Sequence, residues 1–182
     1  MDQLEFERLY RAHVSQIFAY CVRRIPPAEA HDATSEVFVV AWRRFRDIPD
    51  ASGALPWLFG VARNVVRDRL RADRRQKRVA MKLAAQPIRL ADGPEPQVVR
   101  SAEREAVRAA IAKLPERDGE ILMLVEWDGL SRNSVAEVMG VSRSAIDKRI
   151  ARAYSKLARH LSGPLERPVI PSRTAVEQAG EV

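Results

Sequence analysis

GLSRNSVAEVMGVSRSAIDKRIARAYSKLARH, residues 129–160, decides how this chain is read. Ser131 stands where an N-cap belongs, ahead of a short helix whose apolar positions are Val135, Ala136, Val138 and Met139. Gly140 then supplies a tight turn, because glycine takes positive φ without steric cost. Ser142 caps a second, longer helix, on which Ile146, Ile150, Ala153, Leu157 and Leu161 recur at intervals of three and four and share one face. Arg149, Arg152, Lys156 and Arg159 fall on a neighbouring stripe, and from Ser142 to His160 six Lys/Arg face one acid, Asp147. A short helix, a glycine turn and a second helix with one apolar and one basic side make a helix-turn-helix, whose second helix fits the DNA major groove. An ordinary helical hairpin with a solvated charged face is the plainer alternative. The short side chains at Ala136 and Gly140 favour the close crossing of the DNA-binding unit.

The rest of the chain bounds this reading. A length of 182 residues allows one domain or two small ones, and 46% hydrophobic residues suffice for cores. The net charge of +7 favours an anionic partner, nucleic acid or membrane surface. That charge is concentrated: residues 63–82 carry nine basic and two acidic side chains, a surplus equal to that of the whole chain. The single cysteine, Cys21, excludes an internal disulfide and a multi-cysteine zinc site. It sits in an apolar helical pattern with Phe18, Val22 and Ile25 and reads as a buried thiol. His13, His31 and His160 are isolated, so no metal-ligand set and no cofactor is expected. The N-terminus MDQLEFERLY is acidic and lacks an apolar run, and no apolar stretch is long enough to span a bilayer. A cytoplasmic protein without membrane insertion is expected.

In chain order, residues 4–25 read as an amphipathic helix ended by Pro26-Pro27. A second helix runs from about Ala28 to Arg46, acids first and bases last, in the order that suits the helix dipole. Asp47 to Pro56 reads as a break, and a third helix begins near Trp57 and ends in the basic run Arg67–Arg78. Gln86 to Val98, with three prolines, reads as a linker. A second helical unit starts near Ser101, with helices over 102–114 and from Glu116 after Pro115. No strand pattern is convincing. The expected fold is all-α: two small helical domains, 1–85 and 101–162, joined by a flexible linker over 86–100, with the helix-turn-helix in the second and a disordered tail over 163–182.

Three segments in this order resemble the bacterial RNA polymerase sigma factors of the extracytoplasmic-function subgroup. AHDATSEVFVVAWRRF (30–45) is similar to the family's acidic-then-aromatic helix, PWLFGVARNVVRDRLRADRR (56–75) to its −10 reading helix, and residues 114–157 to its −35 reading domain. The resemblance covers about residues 4–161. It implies a protein, not an enzyme, that binds core polymerase at its clamp and flap and brings it to promoter DNA, and that is held by an anti-sigma partner.

The resemblance also implies roles for individual residues. Arg143, Ser144, Lys148, Arg149, Arg152 and Lys156 would meet −35 duplex in the major groove. Arg63, Asn64, Arg67, Arg71 and Arg74 would hold the melted −10 strand, Asn64 facing an extruded base and the arginines its phosphates. Asp47–Pro56 matches the base-capturing loop. Asp32, Ser35 and Glu36 match the clamp contact, with Val39 and Trp42 adding apolar area. One departure is at the recognition helix, where Ser144-Ala145-Ile146-Asp147 replaces the common Gly-Thr-Val and a basic residue. An acid there repels phosphate but can accept from a cytosine amino group.

Three other readings compete. A serine recombinase needs a nucleophilic serine on an α/β fold, and the helical N-terminal half offers none. A stand-alone helix-turn-helix regulator would carry a ligand pocket or dimer interface in place of an arginine-rich helix. A polymerase-binding protein that no longer initiates would have no use for Asn64 and the arginines beside it.

Overall fold

The computed structural model describes residues 3–83 and 102–161, and among them every regular element is helical. Helix α1 spans Gln3–Val22, three residues short of the expected end. Pro26 disfavours the α conformation at the residue before it, so the chain leaves the helix early. Ile25 and Arg24 instead close a turn, their N–H groups donating to the Cys21 carbonyl at 3.0 and 2.9 Å. Helix α2 spans Pro27–Arg43 with a proline in its first turn, where the missing N–H costs nothing. It is followed by a single 3₁₀ turn at Phe45–Asp47.

Helix α3, Ala51–Leu83, begins six residues before the expected start at Trp57, so most of the expected loop is helix. Two residues that read as breakers are accommodated. Gly53 lies against Pro49, where an added Cβ would come within 2.5 Å of the proline Cβ, so the helix entry requires glycine there. Pro56 forfeits one hydrogen bond to the carbonyl one turn back. Burial of Ala54, Leu58 and Phe59 offsets that loss, at about 1.5–3 kcal/mol for each large side chain.

The three helices share a core of Ile17, Tyr20 and Cys21 from α1, Ala30, Ala33, Val37 and Phe38 from α2, and Leu58, Phe59, Ala62 and Val66 from α3. The alanines on α2 let its neighbours approach closely. Tyr20 meets Phe59 edge-on with ring centroids 5.4 Å apart. Cys21 is fully buried, as its apolar spacing predicts, and burial raises its thiol pKa.

The second half holds α4 (Ala102–Ala112), α5 (Glu116–Glu126), α6 (Arg132–Met139) and α7 (Arg143–Leu161). Ile146, Ile150, Ala153 and Leu157 form the buried face of α7, packed in one core with Ile121, Leu124, Leu130 and Val135. Both serine caps form: Ser131 Oγ accepts from the Ser134 N–H at 3.1 Å, and Ser142 Oγ from the Ala145 N–H at 3.2 Å. Gly140 sits at φ +63° and closes α6, its N–H donating to the Glu137 carbonyl at 3.2 Å. The Leu161 side chain, the 86–98 linker, Ser101 and the tail lie outside the described residues.

The halves do not stand apart. Their buried residues form one continuous cluster, and α6 of the helix-turn-helix lies against α3. The apolar patterns of each half give no sign of this contact, in which ion pairs such as Arg24–Asp128 and Arg63–Glu120 accompany the shared apolar cluster.

Candidate nucleic-acid interface

On α7, Arg143, Ser144, Lys148 and Arg152 are exposed and Lys156 is half-buried, all away from the core face. The spacing of the buried isoleucines dictates this, because one apolar stripe on a helix leaves the opposite side to water. Among the described residues Arg152 donates to the Lys148 carbonyl, at 3.3 Å, and pairs with no acid. Arg143 and Arg132 both grip Asp147, each at 3.0 Å, and Arg143 also donates to Asn133 Oδ1 at 2.8 Å. Desolvation pushes the Asp147 pKa up, but hydrogen bonds and charges from Arg143 and Arg132 together hold it below the usual carboxylate value. The unexpected acid of the recognition helix is therefore matched within the protein.

Arg149 is placed differently from its neighbours on the basic stripe. Its Nη1 donates to Asp118 Oδ1 at 2.9 Å, and that carboxylate is buried in the first turn of α5. The sequence puts Arg149 on the DNA stripe, while the structure turns it into the domain.

The arginines of α3 line an open cleft of about 590 Å³ between the two halves, with Tyr20, Arg24, Glu116 and Glu120 among its walls. Arg63 donates to Glu120 Oε1 of α5 at 3.0 Å, both side chains mostly buried. Arg74 lies 3.5 Å from Glu116, and Arg71 lies 3.6 Å from Asp68. Asn64 is exposed and accepts a hydrogen bond from Arg67 at 3.1 Å, so those two candidates form a pair on the helix surface. The expected base-capturing loop is reduced by helix α3 to the residues before Ala51.

Asp32, Ser35, Glu36, Val39 and Trp42 are all exposed along one stripe of α2. Glu36 accepts from Arg69 of α3 at 2.9 Å. Val39 and Trp42 remain 46% and 40% exposed although large and apolar, and Phe6 supports the indole edge-on at 4.8 Å. An acidic rim beside an exposed apolar pair is a protein-docking chemistry.

A second charged site has no sequence signal. Arg23 and Arg24, just after α1, both bind the carboxylate of Asp128, which follows α5; the Arg24 contact is 2.8 Å. The Asp128 side chain has 0% exposure, and Arg24 also lies over the Tyr20 ring at 3.6 Å. In the sequence Arg23 and Arg24 fall in the last turn of the helix read over 4–25 and Asp128 just ahead of Gly129, with nothing to pair them. Their pairing spans more than 100 residues.

Comparison with known proteins agrees with the geometry. Residues 9–76 match the family described as Sigma-70 region 2, and residues 104–157 match Sigma-70, region 4. The ECF RNA polymerase sigma factor EcfG of Rhodopseudomonas palustris is 31% identical over 129 residues, covering 71% of this chain and 69% of that protein. The Xanthomonas campestris protein described as "Probable RNA polymerase sigma factor RfaY" is 31% identical over 140 residues, 74% of this chain, but the match spans only 34% of that longer protein. The structure of CnrH in complex with the cytosolic domain of CnrY superposes with a TM-score of 0.64 at 25% identity, covering 90% of this chain and 92% of that one. Both halves, in the same order and on the same all-helical fold, are accounted for, and the chain belongs to the extracytoplasmic-function group of RNA polymerase sigma factors.

Proposed function

We propose that this sigma factor binds core RNA polymerase through the stripe Asp32–Ser35–Glu36–Val39–Trp42 at the clamp and through its second half at the flap. In this reading residues 1–85 form the core-binding and −10 domain. Residues 101–162 form the −35 domain, with 86–100 as the connection and 163–182 as a tail. The −10 strand is held by Arg63, Asn64, Arg67, Arg71 and Arg74, and −35 duplex is read by Arg143, Ser144, Lys148, Arg152 and Lys156. Arg149 acts by holding α7 on α5.

The observation that carries the reading is the exposed basic side of α7, set by the Gly140 turn and matched by no acid at Lys148, Arg152 or Lys156 among the described residues. Guanidinium and ammonium groups so placed meet phosphates and purine edges in a major groove. The place of action is the cytoplasm, where polymerase and promoter are; no described helix is long and apolar enough to cross a membrane. An anti-sigma protein is a further expected partner, and CnrH was solved bound to CnrY.

Core polymerase incubated with fragmented genomic DNA, with and without the chain, tests the proposal by mapping new RNA 5′ ends. Defined starts that depend on the chain are expected. Duplex binding without any new start would replace the proposal with the stand-alone regulator.

A further inference from the structure

The recognition helix carries one acid among its cations, and both oxygens of that acid are engaged. Arg143 Nε donates to Asp147 Oδ2 at 3.0 Å and to Oδ1 at 3.2 Å, and Arg132 Nη1 donates to Oδ1 at 3.0 Å. Arg143 Nη1 reaches back to Asn133 Oδ1 of α6 at 2.8 Å. The Arg132, Arg143 and Asp147 side chains are 46%, 48% and 39% exposed. Ion pairs so exposed add little to stability, so holding the fold does not account for them. We infer that Asp147 is a positioning residue for promoter recognition. It sets the Arg143 guanidinium to read a guanine edge and Arg132 to meet the flanking phosphate, and it contacts no base itself. The inference rests on the proposal that α7 reads −35 duplex.

The placement suits those two duties. A helix-turn-helix presents the N-terminal residues of its second helix to base edges, while its first helix crosses the backbone. Arg143 is the first residue of α7 and Arg132 the first of α6, and Asp147, one turn into α7, ties the two together. A guanidinium carries five N–H groups in a planar fork. Arg143 commits one to Asp147 and one to Asn133, which leaves three for a ligand. Guanine asks for two, at O6 and N7.

Asp147 is poorly suited to reading cytosine on its own account. A cytosine amino group would have to compete for its oxygens with charge-assisted bonds from two guanidiniums, which are the stronger kind. The same two cations offset its repulsion of phosphate, and the group of three stays net positive. What the acid supplies is order. An arginine held at both Nε and Nη1 loses less rotamer freedom on binding than a free one, and its fork points one way. Because one anchor lies on α7 and the other on α6, that direction is fixed relative to both helices of the DNA-binding unit.

The test is fluorescence anisotropy of the full chain on a set of −35 duplexes in which each base pair is changed in turn. The wild type is expected to favour one G·C pair about tenfold over its alternatives, the worth of one bidentate arginine. Asp147→Ala and Arg143→Ala should each lose that preference at the same position, and the double variant should lose no more. Arg143→Lys should lose it as well, because an ammonium lacks the fork. Asp147→Ala should still bind random-sequence duplex at least as tightly as the wild type, since an acid has left the interface. Its melting temperature should stay within about two degrees, because the pairs it removes are exposed. A preference that survives Arg143→Ala but not Asp147→Ala would make Asp147 the reader and overturn the inference. A preference that survives Asp147→Ala overturns it too, and leaves the −35 reading intact. A wild type that discriminates no base pair overturns both.

Discussion

Arg149 of α7 donates a hydrogen bond at 2.9 Å to the buried carboxylate of Asp118, in the first turn of α5. Asp118 is 5% exposed, so without Arg149 it would keep a desolvated charge with no cation beside it. Arg149→Ala is therefore expected to destabilise the second half by about 1–3 kcal/mol, discounted for the partial exposure of the arginine. Thermal unfolding followed by circular dichroism checks this. A melting temperature equal to wild type would return Arg149 to the DNA face.

Arg152 and Lys156 have no such structural duty. Replacing both by alanine should leave the melting temperature within about a degree or two, since neither makes an ion pair among the described residues. Affinity for −35 duplex should fall, and the slope of log K against log salt should become shallower by about 2, one unit for each lost phosphate contact. An unchanged slope would mean that these side chains do not meet the backbone.

The same substitution at two glycines should have opposite signs. Gly140 lies at φ +63° with open space around its Cα, so Gly140→Ala meets backbone strain alone and should cost about 1–2 kcal/mol. Gly60, inside α3, also has open space but ordinary helical geometry, and Gly60→Ala should stabilise by about 0.5–1 kcal/mol. Denaturant midpoints of the two variants give the comparison directly. Equal signs would contradict the assigned geometry of one site.

Tyr154 bonds Glu126 across α7 and α5, and its phenol pKa is pushed up to about 12 by burial first and by the Glu126 carboxylate second. The unfolded chain loses this proton near pH 10, which the folded chain still holds. Stability from this group is thus complete below pH 10 and declines as pH rises toward 12. In an absorbance titration at alkaline pH, the step removed by Tyr154→Phe should centre near 12; a lost step near 10 would show that the phenol is neither shielded from water nor bonded to Glu126.

Much of the site was legible in the residues because it is local. A helix cap needs one serine at one position, a left-handed turn needs a glycine, and the basic side of α7 follows from the spacing of Ile146, Ile150 and Leu157. The exposed stripe on α2 was legible for the same reason, since Ala33, Val37 and Ala41 claim the other side. Sequence alone places a loop before Trp57, because Gly53 and Pro56 are breakers on average. Contact of Gly53 with Pro49 and burial of Leu58 and Phe59 override that average.

Sequence alone thus determined the family, the helical class and the two amphipathic halves, all of which depend on side-chain period and short-range backbone chemistry. Tertiary structure alone decided which charges are spent inside the molecule. Arg149 and Arg152 are alike as letters and lie three residues apart, yet one is bound to a buried acid and the other faces solvent. Asp128 and its two arginines are the extreme case, more than 100 residues apart. The strength of an ion pair depends on distance and on exclusion of water, and neither is fixed until distant segments have packed.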